Sequence, residues 1–175
     1  MSNDDFSHET RDEYIHRINT IYVMAELGAS KTLIKKYFKL DYLTEQALNL
    51  KRARYRSGTT WVSVCRSQRL QANIIYHYYC HCSPENANLS REPTLEEIIG
   101  VTRTYKLNFG DHMADINRIS ALLLGIHTGE LIVDRCIKCG IDHIYNNAHT
   151  YNYRSCPYCL CGSTALNRAC NRTLL

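Results

Sequence analysis

Residues 136–159 read CIKCGIDHIYNNAHTYNYRSCPYC, and the two CxxC pairs in this stretch govern how the rest of the chain is read. Cys136 and Cys139 form the first pair and Cys156 and Cys159 the second, with 16 residues between them. Two residues between thiolates let both sulfurs of a knuckle face one ion, and a spacer of this length lets a ribbon fold back to bring up the second pair. The spacing predicts one structural Zn²⁺ per chain. Gly140 follows the first knuckle, where the backbone must turn tightly and point amides at sulfur. Four thiolates around Zn²⁺ leave a charge of about −2, which Arg135, Lys138 and Arg154 stand beside and can offset. Four protein ligands also close the site, leaving no position for a catalytic water. The alternatives are a redox pair or free core thiols, but a redox motif needs one pair at a strand–helix junction rather than two. Cys161 competes as fourth ligand, and His143 and His149 lie in the spacer. The two pairs complete the site without them. Elsewhere only Cys80-His81-Cys82 hints at ligand spacing.

Working outward, the chain has 175 residues, 45% apolar and 22% charged, with 8 Gly and 3 Pro. That length suits one domain or one domain with an appendage. The composition excludes collagen-like, low-complexity and wholly disordered chains. No apolar run is long enough for a membrane span, and the polar, acidic first residues lack the basic and apolar regions of a secretory signal. A cytoplasmic location follows. Nine cysteines, an odd count, then sit in a reducing compartment, where paired cysteines favour metal over disulfides.

Up to about residue 130 the apolar period is helical. Residues 12–27 place Ile15, Ile18, Tyr22 and Ala25 on one stripe, Gly28 ends that helix, and Ser30 caps a second over 31–37 with Leu33, Ile34 and Tyr37 inward. After a break at 38–41, Asp41 caps a third helix reaching about residue 56. A helix led by Trp61 runs to about residue 79, and 80–93 read as a loop. Thr94 and Glu97 form a capping box for a helix over 95–107. Met113, Ile116, Ile119 and Leu123 make the buried stripe of a last helix ending near residue 127. From Leu131 that period stops. The expected fold is mainly α: a helical DNA- and partner-binding domain over 1–130, then a zinc ribbon and short tail over 131–175.

Charge alternates along the chain. Residues 1–30 carry −4, 31–70 carry +8 with ten basic and two acidic residues, 71–134 carry −4 and 135–175 carry +4. The strongly basic segment coincides with a short helix, a tight turn and a longer helix, the shape of a helix-turn-helix. On the longer helix, Leu43, Ala47 and Leu50 line one side, and Glu45, Asn49, Arg52 and Arg56 fall opposite, flanked by Lys51 and Gln46. Amide and guanidinium groups such as Asn49, Gln46 and Arg52 suit base edges. Lys35, Lys36, Lys39, Lys51, Arg54 and Arg56 suit phosphates. Lys138 and Arg154 on the ribbon extend the same surface. The bland alternative is an amphipathic helix pair whose basic side meets water.

Leu27-Gly28-Ala29 closing the first helix, the basic helix pair, the Trp61-led segment and the C-terminal CxxCG-x₁₅-CxxC together resemble the FlhC family. These are subunits of the flagellar master activator and of similar activators of conjugative transfer. The resemblance spans about residues 12–161. It implies a bacterial protein that binds double-stranded promoter DNA in a hetero-oligomer with an FlhD-like helical partner and recruits RNA polymerase. It also implies zinc ligation by Cys136, Cys139, Cys156 and Cys159. The expected function is therefore that of a transcriptional activator subunit. Tyr76, Tyr78, Tyr79, Leu122, Leu123, Leu124 and Ile126 supply apolar surface for a partner. The second reading is a zinc-stapled adaptor that contacts only protein. A metalloenzyme ranks third, and RNA binding through the 13 tyrosines is a further alternative. An enzyme is not expected: the chain has no HExxH, GxSxG, P-loop or GxGxxG motif.

Overall fold

The computed structural model describes residues 9–48, 50, 55, 58–86, 89–110, 113–146 and 156–160. Among these, six α-helices precede a two-stranded antiparallel ribbon, so the chain is mainly helical.

Helix α1, Arg11–Glu26, opens with a capping box in which Thr10 and Glu13 satisfy each other's backbone amides. Gly28, at φ 86°, lies just past its last turn as the glycine reading expects. The buried face differs from the predicted stripe. Ile21 and Met24 are fully buried, whereas Ile15 and Tyr22 are exposed. Both stripes have helical spacing, and only the packing of later elements decides between them.

Helix α2, Lys31–Tyr37, starts at the Ser30 cap, whose hydroxyl accepts from the Leu33 amide. Ile34 is buried, and Leu33 and Tyr37 pack against the core. Asn117 fixes the turn before it: its Oδ1 accepts from the Ser30 amide and its Nδ2 donates to the Gly28 carbonyl, both at 2.8 Å.

Helix α3, Tyr42–Leu48, departs most from expectation. Asp41 caps it by accepting from the Thr44 amide. The helix then ends at Leu48, not near residue 56, and Leu50 and Tyr55 are non-helical. The predicted core stripe is realised only in part, because Leu43 is 75% exposed and no α3 residue is fully buried, while Leu50 packs against the core. Helices this short persist by packing an apolar face, and within α3 that contact is Leu48, which packs against the core. Tyr55 is instead drawn inward, where its hydroxyl accepts from the Met113 amide and its ring lies under the Arg118 guanidinium. Two short helices thus flank the 38–41 break, and the second, at 7 residues, is shorter than the predicted recognition helix.

Trp61 lies in a 3₁₀ turn, Thr60–Ser63, rather than leading a long helix. The Arg118 guanidinium lies over the Trp61 ring, 5.1 Å from the centroid. Helix α4, Arg66–Cys82, begins after this turn and outlasts the predicted end, stopping where Ser83 precedes Pro84. A second 3₁₀ turn, Pro84–Asn86, follows within the expected loop. Helix α5, Leu95–Phe109, has the predicted Thr94–Glu97 capping box. Helix α6, Ile116–His127, buries Ile116, Ile119 and Leu123 as expected, but Asp115 caps it and Met113 stays outside at φ 65°.

Strands β1, Leu131–Arg135, and β2, Asp142–Asn146, pair with Leu131 opposite Asn146 and Arg135 opposite Asp142. Leu131 and Ile144 join the same buried cluster as Tyr79, Tyr105 and Leu122. The base of the ribbon is therefore part of the helical core. Tyr76, Tyr79, Leu122 and Leu123, expected to face a partner, are buried within the chain.

Candidate metal centre

The ribbon ends in the first knuckle. Cys136 follows β1, and its amide donates to the Ile141 carbonyl while the Gly140 amide donates back to the Cys136 carbonyl. The second knuckle closes identically, with the Leu160 amide donating to the Cys156 carbonyl at 2.8 Å. Gly140 and Leu160 occupy the same place in the two turns, and both have left-handed backbones, at φ 70° and 61°.

These turns bring the sulfurs of Cys136, Cys139, Cys156 and Cys159 within 4.8 Å of one another. Among the described residues this is the one such group of metal-ligating side chains. Across the knuckles, Cys136 and Cys159 are 3.5 Å apart and Cys139 and Cys156 3.7 Å. A tetrahedral ion with metal–sulfur bonds of about 2.3 Å needs sulfurs roughly 3.8 Å apart. The four thiols therefore fit one tetrahedral ion. Cys136 and Cys156 are buried, while Cys139 and Cys159 lie nearer the surface. Burial pushes the Cys156 thiol up to about 12. At Cys136 burial is outweighed by the Cys139 and Lys138 amides and by Cys159, which bring it down to about 7. A bound cation would favour all four thiolates.

His143 is fully buried in β2 and is not among the clustered donors. Cys161 and His149 lie outside the described residues. Cys80 is half-buried and Cys82 exposed, with no second cluster around them among the described residues.

Sequence reasoning missed how this centre is mounted. Arg66, Arg69 and Asn73 fall three and four residues apart on one side of α4. Arg66 donates to the carbonyls of Pro157 at 2.9 Å and Tyr158 at 3.4 Å, gripping the second knuckle. Asn73 accepts from the Ile144 amide at 2.9 Å, gripping β2. Arg69 is buried between them. The signal was a polar stripe beside the apolar one of Ala72, Ile75, Tyr76 and Tyr79. It was obscured because Arg66 and Arg69 counted toward the basic segment.

The nucleic-acid candidates are more scattered. Lys35, Lys36, Lys39, Gln46 and Lys138 are exposed. Lys31 and Lys35 both meet Glu45 at 2.5 Å, and Lys36 meets Glu92 at 3.3 Å. Glu45, predicted on the outer face with the base-reading residues, instead lies over α2 as their counter-ion. Gln46 donates to the Tyr42 hydroxyl. Asn49, Lys51, Arg52, Arg54, Arg56 and Arg154 lie outside the described residues. No helix among the described residues is long and apolar enough to cross a membrane. A scan of protein-family models and a search of curated proteins return no match for this chain.

Proposed function

We propose that this protein is a zinc-stapled, DNA-binding subunit of a transcriptional activator. The observation that carries the zinc reading is the closed cluster of four cysteine sulfurs at tetrahedral spacing. Zinc suits it because this ion has no geometric preference of its own and takes thiolates readily, and four protein ligands make its role structural. The DNA reading is supported by the exposed lysines of α2 and the turn after it, Lys35, Lys36 and Lys39, and by the resemblance to the FlhC family. Exposed ion pairs such as Lys36–Glu92 are weak and salt-screened. Phosphates that release condensed counterions can displace such carboxylates. In this reading the chain acts with an FlhD-like helical partner at a promoter and engages RNA polymerase, and it catalyses no reaction.

The second reading is a zinc-stapled adaptor that binds only protein. It is favoured by α3, which turns Tyr42 and Leu43 to solvent and spends Glu45 on neutralising Lys31 and Lys35. One experiment separates the two. The full chain, with and without its co-expressed partner, is titrated with duplex DNA at about 50 and 200 mM salt. DNA binding predicts a steep loss of affinity with salt, and Lys36→Ala lowers the log–log slope by about one. Arg52→Ala costs about 1–3 kcal/mol and relaxes sequence preference if it contacts a base. Absence of duplex affinity in both samples, with the protein folded, favours the adaptor. Metal analysis should give about one zinc per chain, lost in Cys156→Ser and kept in Cys161→Ser.

A further inference from the structure

A four-thiolate centre holding a divalent cation carries about −2, and uncompensated charge is costly wherever water is excluded. Among the described residues, the cations beside the ligands in sequence do not meet that need at depth. Arg135 and Lys138 are both exposed, and exposed charges are weakened by solvent and salt. Of the four ligands, Cys136 and Cys156 are the buried ones. Arg69 is buried one turn along α4 from Arg66, whose guanidinium holds the carbonyl of Pro157, the residue next to Cys156. It is 6% exposed and projects from the face of α4 whose neighbours, Arg66 and Asn73, hold the second knuckle and β2. Arginine keeps its proton in proteins, so this is a permanent cation.

We propose that Arg69 is the buried counter-charge of the metal centre, delivered by α4 to the Cys156 side of the cluster, and that its charge sets how tightly the four thiolates hold their ion. Arg66 is then a positioning residue, holding the knuckle where Arg69 can act on it. The inference rests on the structural-zinc reading above. Groups just outside the ligand set of a metal site typically change its affinity 10- to 100-fold.

The test uses full-length protein, stripped and reloaded. Zinc affinity is measured by competition with a chromophoric chelator for wild type, Arg69→Gln, Arg69→Met and Arg69→Lys. The Gln and Met variants should bind zinc about 10- to 100-fold more weakly, and Lys should recover most of the loss. Cobalt-loaded samples supply a signature that packing alone does not move. Without a cation beside the sulfurs, the sulfur-to-cobalt charge-transfer band shifts to lower energy. A Met variant with wild-type affinity and an unmoved band would overturn the proposal. Should the variants fail to fold, the wild type still decides. A buried counter-charge is not screened, so zinc affinity should change less than about threefold between roughly 0.05 and 0.5 M sodium perchlorate. A steep fall would assign compensation to the surface cations and sink the idea. If wild type takes up no metal, the zinc reading fails and the counter-charge with it. If wild type binds zinc and all three variants bind as tightly, only the counter-charge is lost.

Discussion

Gly140 and Leu160 hold the same position after their CxxC pairs, close their turns with the same hydrogen bond and share a left-handed backbone. Glycine adopts that conformation without penalty, whereas an L-residue costs about 1–2 kcal/mol there. Leu160 is largely exposed, so shortening it forfeits little burial. Leu160→Gly should therefore stabilise the zinc-loaded protein by up to about 1 kcal/mol, after allowing for glycine's greater freedom in the unfolded chain. Gly140→Ala should destabilise it by about the same amount. Thermal unfolding of the loaded variants measures both, and a loss on Leu160→Gly as large as on Gly140→Ala would deny that the knuckles are equivalent. The pair also marks what one residue can disclose. A glycine after CxxC announces a left-handed turn. A leucine in the same conformation announces nothing, because the knuckle's closure imposes its φ from outside.

At the scale of elements, legibility followed how local the causes were. The capping boxes of α1 and α5 and the Ser30, Asp41 and Asp115 caps are set within four residues. The capping box of α5 and the Ser30 and Asp41 caps were readable as motifs. The face of α1, the end of α3 and the break after Trp61 depend on partners far along the chain, such as Arg118 stacking on both Tyr55 and Trp61. Periodicity cannot weigh those contacts. The ribbon's anchorage on α4 was hidden likewise, since an arginine aimed at a buried carbonyl and one aimed at solvent read alike. Gly125 in α6 is a further case. A Cβ there would come 2.6 Å from Thr59 Cγ2 and 3.3 Å from Leu131 Cδ1. The threonine is β-branched and stiff, so it yields poorly. Gly125→Ala should cost about 1–3 kcal/mol despite alanine's better helix propensity. Adding Thr59→Ser removes the offending methyl, keeps the hydroxyl that donates to Glu130, and should recover part of the loss in a denaturant titration. A neutral Gly125→Ala would mean that α6 does not lie this close to the loop and β1.

Over the whole molecule, the charge blocks of the sequence are partly spent internally. Of the +8 segment, Lys31 and Lys35 meet Glu45, Lys36 meets Glu92, and Arg66 holds the knuckle. Glu45 is already counted in that segment's net charge, so only the Lys36–Glu92 pair draws on acid from another segment, but the acidic partners become part of the stability. Glu97 shows this most clearly. It closes the α5 capping box through the Thr94 amide at 2.8 Å and receives Arg91 on both carboxylate oxygens at 2.7 and 3.0 Å. Burial, which alone would raise its pKa, is outweighed by these donors, and the carboxyl is held down from 4.5 to about 2. A depressed folded pKa contributes stability that is complete above the unfolded value and is lost as pH falls toward the folded one. The window here runs from about 4.5 down to about 2, and the contribution at neutral pH is at most about 3 kcal/mol. Glu97→Gln should thus be less stable than wild type by up to that amount at pH 6–7. The gap should close as pH falls through the window, because wild type loses the charge that the variant never had. Acid also protonates the cysteines and releases metal, but that loss is common to both proteins and cancels in their difference. Urea titrations of the pair at several pH values read the gap directly. A difference that stays constant from pH 7 down to pH 3 would show that Glu97 acts through packing rather than through its charge.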